Sequence, residues 1–278
     1  MAEQSKVELT GVHEERLEGR SHKTLFRAEE GENLVYPDGV EVDVGRTVEF
    51  DAADLGTSAV NVRIRELMGE GYGHVIVRNP GAKHSLGVGI LNRLKLEFDG
   101  SLGYFGIGLN DGPNVRIRGR VGWSCAENMM AGTVVVEKNA GSSFGAAIRG
   151  GDLVCLGDVG ARTGINQKGG TIIVAGRTGT LSGFMMQRGR MIILGDADEH
   201  LGDSMYDGTI YVGGKIASLG IDAVSSEMTD IEAGWLQRKL DLYGLKAPNG
   251  SENLQKIVAG KQLWNYDNLE PTEKKVVL

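Results

Sequence analysis

The sequence predicts an all-β protein: a right-handed parallel β-helix, a single-stranded solenoid of about eight coils of about 19 residues, with short capping helices at both ends. Three observations predict it. Strand-like runs recur as LKLEFDG, VRIRG, TVVVEK, DLVCLG, TIIVAG, RMIILG and TIYVGG, and their last residues, Gly100, Gly119, Lys138, Gly157, Gly176, Gly195 and Gly214, stand 19 apart. Glycine reaches 43 of 278 residues, about twice the usual share of roughly 7%, and it falls in columns. Three residues after the first column come Gly103, Gly122, Gly141, Gly160 and Gly179, and seven after it Gly145, Gly164, Gly183 and Gly202. Just before the strands stand Gly132, Gly151, Gly170, Gly189 and Gly208. The third observation is apolar alternation. Leu96, Val115, Val134, Leu153, Ile172, Met191 and Ile210 make one wholly apolar column; Phe98, Ile117, Val136, Cys155, Val174, Ile193 and Val212 make another two residues on. Alternation with a period of two puts both columns on one strand face. A repeat this short leaves room only for brief strands and tight corners, and helical solenoids need longer units. Glycines at fixed offsets are expected to supply corners with positive φ.

The elements follow in order. Residues 1–50 are polar with scattered strand-like pieces (TLFRA, LVYPDGVEVDV) and read as an arm. Residues 51–74 read as an N-terminal cap, because TSAVNVRIRELM (57–68) places Val60, Ile64, Leu67 and Met68 on one helical face. Residues 75–221 form the β-helix, and stepping back once from Gly100 reaches Gly81 with no insertion. Residues 222–278 hold C-terminal helices and a tail. There Thr229-Asp-Ile-Glu232 is a capping box that opens a helix to about Tyr243, stopped at Gly244. A second helix is expected from Ser251 to Ala259, and Lys261–Leu278 read as tail.

Composition narrows the function classes. The net charge of −7 argues against nucleic acid as a main partner. Cys125 and Cys155 form no metal motif and read as buried apolar residues. Met1–Lys6 has no apolar core of a signal peptide, and no run suits a membrane span, so the expected compartment is the cytoplasm. No pair among His13, His22, His74, His84 and His200 has metal-ligand spacing; His84 and His200 fall at corners, as solvated or structural residues. Ser143 and Ser204 lack a nucleophile-elbow context. Asp196, Asp198, Glu199, Asp203 and Asp207 read as a solvated acidic end. Gly106-Ile-Gly108 suggests a phosphate loop, but that loop requires a helix directly after its glycines, and here strands follow. Aromatic residues make up only 6% and form no line in the sequence, which argues against a free-standing solenoid that grips a polysaccharide. No catalytic residue, metal site or cofactor site is expected in this chain.

One column stands apart. Outward strand positions run Glu97, Arg116, Val135, Val154, Ile173, Ile192, Tyr211, changing from charged to apolar at Val135, with Leu156, Ala175 and Leu194 alongside. An apolar stripe of this size requires a cover. Two covers fit: the C-terminal helix with Ile231, Trp235, Leu236 and Leu240, or another subunit docking on Val135, Val154, Ile173, Ile192 and Tyr211.

The G-x-x-G-x-x-x-G coils resemble the GXGXG β-helix found at the C-terminal end of the glutamate synthase large subunit and in the β-helical subunit of formylmethanofuran dehydrogenase. AENMMAGTVVVEKNAG (126–141), GINQKGGTIIVAG (164–176) and LGDSMYDGTIYVGGKIASLG (201–220) are more similar to the stand-alone GlxC-type subunit of N-methylglutamate synthase-like complexes. The likeness spans about residues 55–245, plus the tail around Leu263-Trp264-Asn265-Tyr266. It implies a non-catalytic scaffold that braces a class II glutamine amidotransferase subunit against an FMN and iron–sulfur synthase subunit. Those partners would carry the cofactors and form glutamate or N-methylglutamate, and the scaffold would shield the transfer of ammonia or amine. The alternative is the equivalent scaffold of a formylmethanofuran dehydrogenase or formyltransferase/hydrolase complex.

Overall fold

The computed structural model describes residues 33–35 and 39–260. Its strands, β1 (Asn33–Val35), β2 (Glu41–Asp51), β3 (Tyr72–Arg78), β4 (Lys95–Asp99), β5 (Asp111–Ile117), β6 (Ala131–Val136), β7 (Asp152–Cys155), β8 (Lys168–Val174), β9 (Arg188–Ile193), β10 (Thr209–Val212), β11 (Ala223–Ser226) and β12 (Gln255–Ala259), form one continuous sheet. From β2 to β10 each strand pairs in parallel with the next in sequence. The chain therefore winds as a β-solenoid, with about seven turns between β3 and β10. A second ladder of isolated parallel bridges runs along Leu102, Val121, Ala140, Val159, Thr178, Ala197 and Ile216, repeating the 19-residue step on another side.

Register follows the two inner columns. Leu96 pairs with Val115, Val115 with Val134, and so on to Ile210, while Phe98 starts the companion row. Every member of both rows is fully buried. A slip of one residue would turn each strand inside out, so the alternation itself holds the register.

The first turn departs from the sequence expectation. Val75 pairs with Leu96, 21 residues on, so this turn carries two extra residues. Gly81 is therefore not the counterpart of Gly100. Arg78 pairs with Asp99, which puts Asn79, itself left-handed at φ 51°, at the equivalent corner.

The glycine columns divide into two kinds, where a single role was expected. Gly145, Gly164, Gly183 and Gly202 have positive φ, as do the glycines before the strands. Gly119, Gly157, Gly176 and Gly195, with Gly103, Gly122, Gly141, Gly160 and Gly179, do not. They are sites of close stacking: a Cβ on Gly176 would lie 2.2 Å from Asp158 Oδ1 and 2.8 Å from the Gly157 carbonyl carbon. Coils at the β spacing of about 4.8 Å leave no room for a side chain pointing along the stack. Gly100 belongs to neither set neatly: its φ is 150°, and a Cβ there would meet the Pro80 ring at 2.9 Å.

Helix α1 (Thr57–Gly69) covers the first end of the solenoid with Val60, Ile64, Leu67 and Met68, all buried. The segment read as an arm ends in a rung. β2 pairs with β3, and its alternation buries Val42 and Val44; residues 1–32 lie outside the described residues. At the other end, helix α2 (Asp230–Asp241) opens with the expected capping box at Thr229 and Glu232. The helix expected over Ser251–Ala259 does not form. A 3-10 turn at Ser251–Asn253 leads into β12, which runs antiparallel to both β10 and β11. The β-branched Ile257 and Val258 suit a strand, and the last parallel strand offers unpaired backbone groups for it to satisfy. The tail from Lys261 lies outside the described residues.

Candidate interaction surfaces

Side chains on the outer face of the sheet form two adjoining surfaces. Over β7–β10 the face is apolar, and α2 lies on it. Val154, Ile173, Ile192 and Tyr211 pack with Leu236, Leu240 and Leu254 in a cluster separate from the solenoid core, with Val135 and Trp235 at its edge. Val154, Ile173, Ile192 and Tyr211 are 0–1% exposed beneath the protein's own helix, while Val135 is only partly buried at its edge and Leu156 beside it is exposed. Ile231 is not part of the cover, being 84% exposed.

Polar groups pin this helix. Lys239 Nζ lies 2.8 Å from Asp152 Oδ2, both nearly inaccessible, and the Tyr243 hydroxyl donates to the same carboxylate. Burial, then the neighbouring carboxylate, pushes the Tyr243 hydroxyl far above its ordinary range. Arg190 rests on the Trp235 ring at 4.5 Å. Glu232 accepts from the Tyr211 hydroxyl at 3.1 Å and pairs with Lys256 at 2.7 Å. Burial works against the Glu232 carboxylate, but bonds from Lys256 and Thr229 outweigh it and hold its pKa at about 2. Tyr211 is pushed up to about 12, by burial first and by Glu232 second.

Over β3–β6 the outer face is charged and open. His74 Nε2 lies 3.1 Å from Glu97, which also accepts from Arg118 at 2.8 Å; Arg116 meets Glu137 at 2.6 Å. Desolvation acts to raise the Glu97 carboxyl, and the bonds from Arg118 and His74 overcome it and hold it below its usual range. Where the two surfaces meet, at the foot of α2, a cleft of about 350 Å³ is lined by Lys95, Arg116, Val135, Leu156, Leu242 and Tyr243. A second cleft of about 660 Å³ runs past Arg177, Asp196, Asp198 and Lys215 near the last turns. Two carboxylates brace corners there: Asp158 Oδ1 accepts the Arg177 N–H at 3.0 Å, and Asp196 Oδ1 that of Lys215 at 2.7 Å.

A third surface was missed in the sequence. His84, Tyr104 and Trp123 stack ring on ring, with centroids 4.7 and 5.0 Å apart, so aromatic residues do line up on the solenoid. His84 Nδ1 accepts the Tyr104 N–H at 2.8 Å, a structural role. Tyr104 and Trp123 are 19 apart, and that spacing was the available signal; His84 stands 20 before Tyr104, one residue out of period. Phe105, Leu109 and Met130 are exposed on the same turns.

Among the described residues, no three His, Cys, Asp or Glu side chains converge as a metal site, and no helix is long and apolar enough to cross a membrane. Cys125 and Cys155 are fully buried, and desolvation raises both thiols, Cys155 to about 11. Both remain protonated at neutral pH and are poor nucleophiles.

No family model matches the sequence. Over 60 residues it is 43% identical to Protein GlxC of Rhizobium meliloti (strain 1021), a stretch that covers 22% of this chain and 26% of that protein. The match therefore spans about a quarter of the relative's length.

Proposed function

We propose that this chain is the non-catalytic scaffold subunit of a glutamate-synthase-like complex. In this reading it braces a class II glutamine amidotransferase subunit against an FMN and iron–sulfur synthase subunit, which carry the cofactors and form glutamate or N-methylglutamate. The observation that carries the reading is the 43% identical stretch shared with the GlxC protein, together with the solenoid fold. A solenoid suits the task physically. Every turn is hydrogen-bonded to both neighbours, so two bodies held at different points along the stack keep a fixed separation. A fixed separation is what passing a small, reactive amine between two sites requires.

Purifying the native complex through a tag on this chain tests the proposal. The expected preparation contains an amidotransferase subunit, shows the absorption of bound flavin, and forms glutamate or N-methylglutamate from glutamine or a donor amine when a 2-oxo acid acceptor and a reductant are also supplied. A preparation without flavin that instead contains a metal-dependent amidohydrolase-type subunit overturns it and favours a formyl-transferring complex.

A further inference from the structure

Helix α2 does not cover the apolar stripe to its edge. Val135 is only partly buried, Leu156 is 38% exposed, and Leu242, which ends the helix, is 38% exposed beside them. These aliphatic side chains form one wall of the cleft of about 350 Å³ at the foot of α2. The other wall is cationic, with Lys95 on the outer face of β4 and Arg116 on that of β5. In the register Lys95 pairs with Asn114, two residues before Arg116, and Arg116 pairs with Val135. From β5 to β7 the cleft thus grades from cation to aliphatic over two rungs, about 10 Å.

The charges around it are unevenly satisfied. Glu97 accepts from Arg118 and lies against His74, and Glu137 accepts from Arg116 Nε, so both carboxylates have partners. Arg116 spends only Nε in that bond, and among the described residues its two terminal nitrogens meet no acceptor. Lys95 likewise meets no carboxylate among them. Two incompletely satisfied cations therefore face an aliphatic wall, in a chain of net charge −7.

We propose that this cleft docks a partner subunit, which inserts an acidic side chain between Lys95 and Arg116 and sets a neighbouring apolar side chain on Leu156 and Leu242. The inference rests on the reading of this chain as a subunit of a complex; charge complementarity and the incomplete cover carry it. The two remaining nitrogens of a guanidinium suit a carboxylate, and an apolar side chain beside it completes the burial that α2 leaves unfinished. A free small molecule fits poorly. Arg116 is 59% exposed on an open wall, whereas small-ligand pockets bury most of their ligand. The occupant must be anchored by more than the cleft, as a segment of a folded partner is.

Cross-linking within the native complex tests this. A photo-reactive benzophenone side chain in place of Leu156, in the full chain, is expected to capture one peptide of another subunit. That peptide is expected to carry Asp or Glu within about four residues of the attachment, the reach of neighbours on one helical or strand face. Lys95→Glu is expected to weaken the hold on that subunit about tenfold or more, read as dissociation on dilution. Hydrogen exchange in residues 230–241 is expected to stay at wild-type rates, which separates lost docking from a loosened α2. Changing the captured acid to Lys is expected to restore the hold of Lys95→Glu, a recovery that a structural role for Lys95 would not give. Capture of this chain's own residues, of a second copy, of a peptide without a carboxylate, or of nothing overturns the proposal. So does an undiminished hold in Lys95→Glu. The chemistry of the complex is a separate result: a flavin-containing complex indifferent to Lys95→Glu overturns this docking alone, and an acidic peptide captured in a complex without flavin overturns the proposed function alone.

Discussion

The outer sheet face over β3–β6 and the same face over β7–β10 share one backbone ladder and one pair of inner columns, yet they behave as different surfaces. On the first, Arg116 pairs with Glu137 and Arg118 with Glu97, exposed guanidiniums resting on half-buried carboxylates. On the second, Val154, Ile173, Ile192 and Tyr211 bury themselves under α2. The inner columns decide that the chain winds. The outer columns decide what each stretch of the solenoid must touch. A fold built from stacked turns can vary its outer face turn by turn without altering its core.

The most severe test of this contrast places a charge in the covered half. Ile173→Asp or Ile192→Asp puts an unpaired carboxylate in a site with no accessible surface. Mechanisms of that kind cost more than about 4 kcal/mol. The expected result is loss of α2 from the sheet, read as a drop in urea midpoint and rapid hydrogen exchange across residues 230–241. A variant that keeps wild-type exchange protection would show that the helix does not depend on the stripe. The helix would then be a passenger, not a cover.

Next in size is the buried pair. Lys239→Met removes the cation beside Asp152 and leaves a buried carboxylate without its counter-charge, with the Tyr243 hydroxyl still donating to it. Breaking such a pair costs about 3 kcal/mol or more, whereas replacing both members often costs little. Lys239→Met is thus expected to destabilise strongly, and Lys239→Met with Asp152→Leu to recover most of the loss. A double variant as unstable as the single one would show that the pair itself stabilises the docked helix.

Much of this was legible from residues alone, for identifiable reasons. The repeat, the inner columns and α2 with its capping box are local or strictly periodic features, and both kinds of signal are written in sequence spacing. The cover of the apolar stripe was legible only as one of two candidates, because Asp152 and Lys239, which pin the helix there, lie 87 positions apart and nothing periodic links them. β12 was misread as a helix because its strand character depends on the free edge of β10, a tertiary fact. β2 reads as an arm in the sequence because the irregularity between Asp43 and Thr47 breaks its alternation soon after Val42 and Val44. The stack of His84 on Tyr104 was hidden by the longer first turn, which puts the ring one residue out of period.

The contrast also has a pH dependence. Glu232 is held at about 2 in the folded state against 4.5 ordinarily. A depressed folded pKa gives stability that is complete above the unfolded value and is lost as pH falls from about 4.5 towards 2. The α2 cover is therefore expected to loosen over that window, seen as faster exchange in residues 230–241. Glu232→Gln is expected to be less stable than wild type at neutral pH and to lose this part of the slope. An unchanged slope would assign the acid sensitivity to other carboxylates.

The smallest effect is expected on the open half. Arg116 and Glu137 form a close pair, but Arg116 is 59% exposed, so water screens the attraction and ordering two long side chains offsets what remains. Arg116→Ala is expected to shift stability by less than about 0.5 kcal/mol, within the scatter of a melting curve, and to leave protection of β5 and β6 intact. The comparison turns on this result as much as on the largest one. If the chain tolerates loss of Arg116 but not a charge at Ile173, the outer face over β3–β6 contributes little to folding, and its charged side chains are free to be set by whatever meets them. If Arg116→Ala instead costs more than about 1 kcal/mol, beyond what an exposed pair supplies, the open half is a structural network in its own right. The charged surface would then owe its residues to the stability of the early turns, as the apolar surface owes its residues to α2.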